Sequence, residues 1–416
     1  MTYNNTDDVK PTTPPQTAPP QTATHKMAPQ TKRDGAATAV ILALCASVIA
    51  GAFLLASPWK NTQVIAKPAV TVVASPKRPI IEVVFAIDTT GSMSGLLESA
   101  KQKVWTIANQ LMSGQPRPTV RFGLVFYRDK SDSYVTQSTP LTDDIDAVYE
   151  ALLAASASGG GDNPEHVNRA LEVAIDDMQW RDGDNVLKLI FLVGDAPPHD
   201  DYQDTPTSIA LTKRAAAKHI TVNPILVGQN GNAKIAWQKI AVAGGGHYAA
   251  IAQDGGTIAT STPFDRELER YNHALADSVV YYGGEKKVAK ARAKFDSRKR
   301  MKGEVASSAA SFSSAKGGYL GSGDLLSAES DGRASIETLP QALAPTETRG
   351  MTASQKRAWL DGKKKKRKQL SDKIAKLSKK RAQYLRENKR HKKDSFDDNV
   401  FTTLRKQAKK VGIALE

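Results

Sequence analysis

A single cysteine, Cys45, in a chain of 416 residues excludes any intrachain disulfide. The fold must therefore rest on burial, with or without a bound ion. Aromatic residues make up only 6% of the chain, and among the basic clusters of 363–393 Tyr384 stands alone, which gives a base-stacking platform little support. No HExxH pair, no Gly-x-Ser-x-Gly turn and no GxxxxGK[ST] loop occurs, which removes the commonest signatures of zinc hydrolysis, serine hydrolysis and nucleotide cleavage. His166 and His199 stand without the cysteines or paired histidines of a zinc site, and Asp200 and Asp201 read as solvated loop charges. Two further absences divide the chain. Residues 1–35 are rich in Pro, Thr and Gln and almost free of large apolar side chains, as expected of a disordered terminus. Residues 36–57 (AATAVILALCASVIAGAFLLAS) carry no charge at all. As a helix of about 1.5 Å rise per residue they would span a hydrocarbon core of about 30 Å.

The formal net charge is +15, yet none of it belongs to the first 350 residues, where 36 basic and 36 acidic side chains balance. The excess sits in 351–416, with 22 Lys and Arg against 7 Asp and Glu. Such a segment attracts anionic polymers or lipid headgroups, and a solvated helix face accounts for the same composition. Lys32 and Arg33 before the apolar run, against Lys60 after it, place the N-terminus weakly on the cytoplasmic side and the rest of the chain beyond the cell membrane.

From residue 79 the pattern becomes regular. Apolar runs at 80–87, 120–127, 186–193 and 220–227 read as strands buried on both faces. Helical stretches at 95–112, 141–155, 164–178, 205–218 and 233–242 alternate with them, and 247–251 reads as a last strand. This predicts an α/β fold with a doubly wound, mostly parallel sheet, preceded by a transmembrane helix and followed by a basic helical region. The divisions are 1–35 (polar terminus), 36–57 (membrane helix), 58–78 (linker), 79–283 (α/β domain), 284–353 (linker or irregular) and 354–416 (basic helical region). In the last, Leu370, Ile374, Leu377, Arg381 and Tyr384 fall at near-heptad spacing, with Arg381 weakening the seam.

The first strand ends in Asp88-Thr89-Thr90-Gly91-Ser92, which places one carboxylate and two hydroxyls on alternate residues of a strand-end turn. Those are hard oxygen donors, suited to Mg²⁺ first and also to Mn²⁺ or Ca²⁺. The motif resembles the metal-ion-dependent adhesion site of von Willebrand factor A (vWA) domains, with its Asp-x-Ser/Thr-x-Ser signature. The resemblance covers residues 79–283 and implies two further loops at the site. One is 159–165, Gly-Gly-Gly-Asp162-Asn-Pro-Glu165, where the family usually carries a Thr and this chain has Asp162, with Glu165 as a substitute. A structural reading competes: Asp162 as helix N-cap, Pro164 in the first turn and Glu165 closing a capping box. The other loop ends the strand at 186–193 with Gly194-Asp195, matching the family's last acidic residue. Three carboxylates, Asp88, Asp162 and Asp195, would make the site less dependent on a carboxylate from the ligand. The 381–413 stretch also resembles the ending of a group of bacterial vWA proteins.

The family implies a binding protein, not an enzyme, with no small-molecule substrate and a protein ligand engaged through an acidic residue at the metal. Three functions follow as expectations. The first is membrane-tethered adhesion or scaffolding at the cell envelope. The others are a cytoplasmic-side adaptor for an ATPase or metal-insertion complex, and polyanion or nucleic-acid binding through the basic segment.

Overall fold

The computed structural model describes residues 78–161, 163–256, 260–388 and 396–415. The expected membrane helix at 36–57 lies outside these; among the described residues no helix is long and apolar enough to cross a membrane. The elements run β1 (Ile80–Asp88), α1 (Ser94–Met112), β2 (Thr119–Tyr127), β3 (Thr136–Thr142), α2 (Ile145–Ala154), α3 (Val167–Glu172), β4 (Val186–Gly194), α4 (Ser208–Ala217), β5 (Ile220–Val227), α5 (Gly231–Ala243) and β6 (Ala249–Ile251). Then come α6 (Asp265–Asp277), α7 (Glu285–Arg300), α8 (Gly303–Ala315), α9 (Leu325–Ser330), α10 (Ala353–Glu387) and α11 (Phe396–Ala408).

The strands form one sheet in the order β3-β2-β1-β4-β5-β6. All pairs are parallel except β2 with β3. The period-two alternation of β1 explains its two buried faces. Ile81, Val83, Phe85 and Ile87 face one apolar layer, with α1 and α2, while Val84 and Ala86 face the other, with α3, α4 and α5. β3 is absent from the sequence-based expectation. Its TQSTPLT sequence is polar and carries Pro140, as edge strands tolerate, and it takes Leu141 from the expected 141–155 helix.

Residues 284–353 correct the expectation of an irregular linker, for they carry α7, α8 and α9. The Ser- and Ala-rich composition that suggested a linker serves close packing instead. Ala306, Ala309 and Phe312 of α8 join the α1 layer, while Ala310 joins a separate core with Leu268, Leu275, Phe295 and Ile374. A helix wedged between two others needs small side chains on both flanks. Phe396, Val400, Phe401, Leu404 and Ile413 belong to the same apolar layer as β1 and β4. The ring of Phe396 lies 6.2 Å from that of Phe85. Buried Asn223 of β5 exchanges hydrogen bonds with Gln407, at 3.2 and 2.8 Å. Residues 396–415 therefore complete the α/β core rather than forming part of a separate tail, which revises the 79–283 boundary.

Candidate metal site

β1 lies between β2 and β4, so its chain connections leave in opposite directions and open a crevice at the strand C-termini. The register pairs Ile87 with Val193, which brings the turns after β1 and β4 side by side. The 159–165 loop reaches them through its backbone. Ser158 donates to the Thr89 carbonyl at 3.0 Å, and Gly91 donates to the Gly159 carbonyl at 3.1 Å. Gly160 has φ +81°, and a Cβ there would meet the Thr90 Cβ at 3.0 Å. Glycine is therefore required for this approach.

In the first turn, the Thr90 amide and hydroxyl both donate to Asp88 Oδ1, at 2.8 and 2.7 Å. The Thr90 and Ser92 hydroxyl oxygens are 3.4 Å apart. Asp88 is fully buried, and its Oδ2 has no hydrogen-bond partner among the described residues. Burial pushes its carboxyl up to about 7; Asp195 and Asp132 add to that rise, and the Thr90 hydrogen bonds oppose it. Thr90, Ser92, Glu165, Asp195, Asn230 and Gln253 line a common cavity of about 350 Å³. The structure thus gathers Asp88, Thr90, Ser92 and Asp195. Asp162 lies outside the described residues. The capping-box reading of Glu165 is corrected, because α3 starts at Val167 with His166 as its N-cap. Glu165 is instead buried on the cavity wall.

Among the described residues no three Asp, Glu, His or Cys side chains lie close enough together to hold a metal. The described donors are one carboxylate with two hydroxyls, and Asp195 lines the same cavity. This set still fits a hard divalent cation: every donor is oxygen, and a buried carboxylate oxygen lacks a partner among the described residues, which is costly without a compensating charge.

Several contributors carry no motif. Gln253, just after β6, donates from Nε2 to the Ser92 carbonyl at 2.9 Å and to Asp195 Oδ2 at 3.0 Å. Asp132 accepts the Gly160 amide at 3.1 Å. The strand-end position of Gln253 and Asn230 is the one signal that could have found them. Beside the site, Tyr202 donates to both Asp129 oxygens, at 2.9 and 2.8 Å, and stacks on His199 with centroids 4.0 Å apart. Asp200 is exposed, as expected of a loop charge, and it also accepts the Ser208 amide at 2.6 Å at the start of α4.

Residues 82–263 match the family model described as von Willebrand factor A domain. A 124-residue stretch is 33% identical to von Willebrand factor A domain-containing protein 7 of Rattus norvegicus, covering 30% of this chain and 13% of that protein. The stretches matched in the first curated relatives thus span about an eighth of their length. A solved structure, the conserved hypothetical protein BatB from Bacteroides thetaiotaomicron, is 20% identical with a TM-score of 0.32, covering 41% of this chain and 90% of that one. The SpRpn10 VWA domain is 19% identical with a TM-score of 0.33, covering 42% and 89%. With its sheet order and its strand-end turns in place, the segment 82–263 of this chain is a von Willebrand factor A domain.

Proposed function

We propose that this chain is a single-pass protein of the cell membrane whose vWA domain, outside the cytoplasm, recognises a protein partner through a bound divalent cation. It is a binding protein and not an enzyme. The carrying observation is the buried Oδ2 of Asp88, without a hydrogen-bond partner among the described residues, beside two hydroxyls at the edge of an open cavity. Asp88, Thr90 and Ser92 would hold the ion, with Asp195 adding negative charge beside it and Asp162 as a further candidate ligand from the second loop. When bound, the ion supplies an electrophilic position that accepts an oxygen ligand from the partner. The protein's own work is positional: Gln253 ties Asp195 to the Ser92 backbone, and Gly160 brings the second loop against Thr90. Mg²⁺ suits the small oxygen set best, with Mn²⁺ and Ca²⁺ as competitors.

Calorimetric titration of the full chain with each ion tests this. Saturable binding in the wild type and none in Asp88→Ala supports the assignment; equal binding by both removes it. The carboxylate-rich reading predicts that Asp162→Thr changes metal affinity or selectivity, so identical titration curves would count against that part alone. Capture of partners with and without the ion, wild type beside Asp88→Ala, then reports on recognition.

A further inference from the structure

The lysine-rich stretch of α10 acquires a definite geometry once the helix is docked. Its inner face is fixed by Leu360, Ile374 and two buried arginines. Arg367 grips Asp324 with both guanidinium nitrogens, at 2.5 and 3.0 Å, and Arg381 donates to Asp265 at 2.7 Å. With that side turned inward, the helical period sends Lys365, Lys368, Lys376 and Lys379 to the opposite side, and all four are exposed. They form a straight row of about 21 Å. Lys364, Lys366, Lys373 and Lys380 flank it and are also exposed. Among the described residues, only Lys368 of these eight forms a salt bridge, to Asp372 at 3.0 Å.

We infer that this face is a docking surface for an anionic phospholipid bilayer. Charge complementarity selects an anionic partner, and two observations select a lipid surface over nucleic acid. Tyr384 packs against Phe264 at 6.2 Å and Trp359 lies beneath Lys363 at 5.1 Å, so among the described residues no stacking platform is open beside the row. The same chain carries the uncharged run 36–57, joined to β1 by about 22 residues whose contour is at most roughly 80 Å. A bilayer is planar and its headgroups diffuse laterally, so anionic lipids can gather beneath a rigid row whatever its spacing. Docked in this way, the row would hold the vWA domain in a set orientation to the surface.

The test labels lysines of the full chain with an acetylating reagent. The chain is bound to vesicles of phosphatidylcholine alone or of phosphatidylcholine with phosphatidylglycerol. The expected result is a loss of reactivity of about fivefold or more at Lys365, Lys368, Lys376 and Lys379 on the anionic vesicles only, reversed by high salt. Lys239, on α5, serves as the unprotected reference. Replacing the four by Glu, on a face that packs against nothing in the described residues, should abolish the lipid-dependent protection of Lys373 and Lys380. Equal reactivity on both vesicles overturns the inference. So does protection by an oligonucleotide but not by vesicles, or protection that survives the Glu variant. Carbonate extraction of the same samples reports separately on the anchoring of residues 36–57. The comparison of two lipid compositions stands whichever way that result falls.

Discussion

At the residue scale, the site depends on two close approaches as much as on its donors. Gly160 admits the second loop to Thr90. Gly194 ends β4 beside Asp88, where an added Cβ would fall 2.3 Å from Tyr127 Oη and 3.2 Å from Asp88 Cβ. The Tyr127 hydroxyl donates to the Val193 carbonyl at 3.2 Å and cannot withdraw freely. Gly194→Ala should therefore push Asp88 out of place, lowering metal affinity about tenfold or more and costing about 1–3 kcal/mol in overpacking. Titration beside thermal melting checks this; an unchanged affinity would show that Asp88 is not confined from this side. Asp88, Thr90, Ser92 and Asp195 were legible in the sequence because each follows an apolar strand at a fixed interval. Gln253 was not, because an amide after a three-residue strand carries no pattern of its own.

At the element scale, α7 and α10 are held by buried charge. Burial pushes Asp324 up, but Arg367 outweighs it, helped by Ser327, and leaves the carboxyl below its ordinary 3.8. The same balance, with Lys294 and Ser322, holds Asp144 low, and Arg381 with Ser307 does so for Asp265. Asp146 is the exception: burial outweighs Arg298 and raises it. For the three lowered carboxyls the folded state binds its proton less readily than the unfolded one. Their stabilisation is present above about pH 4 and is lost as pH falls through the lower folded values. Helicity followed by circular dichroism should accordingly collapse below about pH 4. Asp324→Ala, which strands Arg367 without its partner, should cost about 3–5 kcal/mol at neutral pH; a loss under about 1 kcal/mol would mean that water reaches Arg367. Arg381, which weakened the apolar seam as read from spacing, turns out to be an anchor. Spacing shows that a position faces inward but not that an aspartate waits there.

At the scale of the whole molecule, the vWA domain takes part of its core from the far end of the chain. Phe396, Val400, Phe401, Leu404 and Ile413 bury apolar side chains against β1, β4 and α1, each contributing about 1.5–3 kcal/mol in gross burial. Gln115 and Ala414 close the arrangement with paired backbone hydrogen bonds of 2.9 Å. A chain ending at residue 395 should therefore melt at a markedly lower temperature and be cut by protease within the α/β domain. Unchanged melting would show that residues 396–415 are an accessory. The sequence by itself determined the parallel strands of the sheet, because strands buried on both faces must be long apolar runs, though not the polar edge strand β3; it also determined the Asp88–Ser92 turn, because its oxygen groups are neighbours in the chain. Only the tertiary structure decided that the Ser- and Ala-rich stretch is a packed helix and that the final helix closes the core. It alone also turned the lysines of α10 to one side. Each of these depends on which surfaces meet between segments about forty to more than a hundred residues apart in the chain, and no local pattern carries that information.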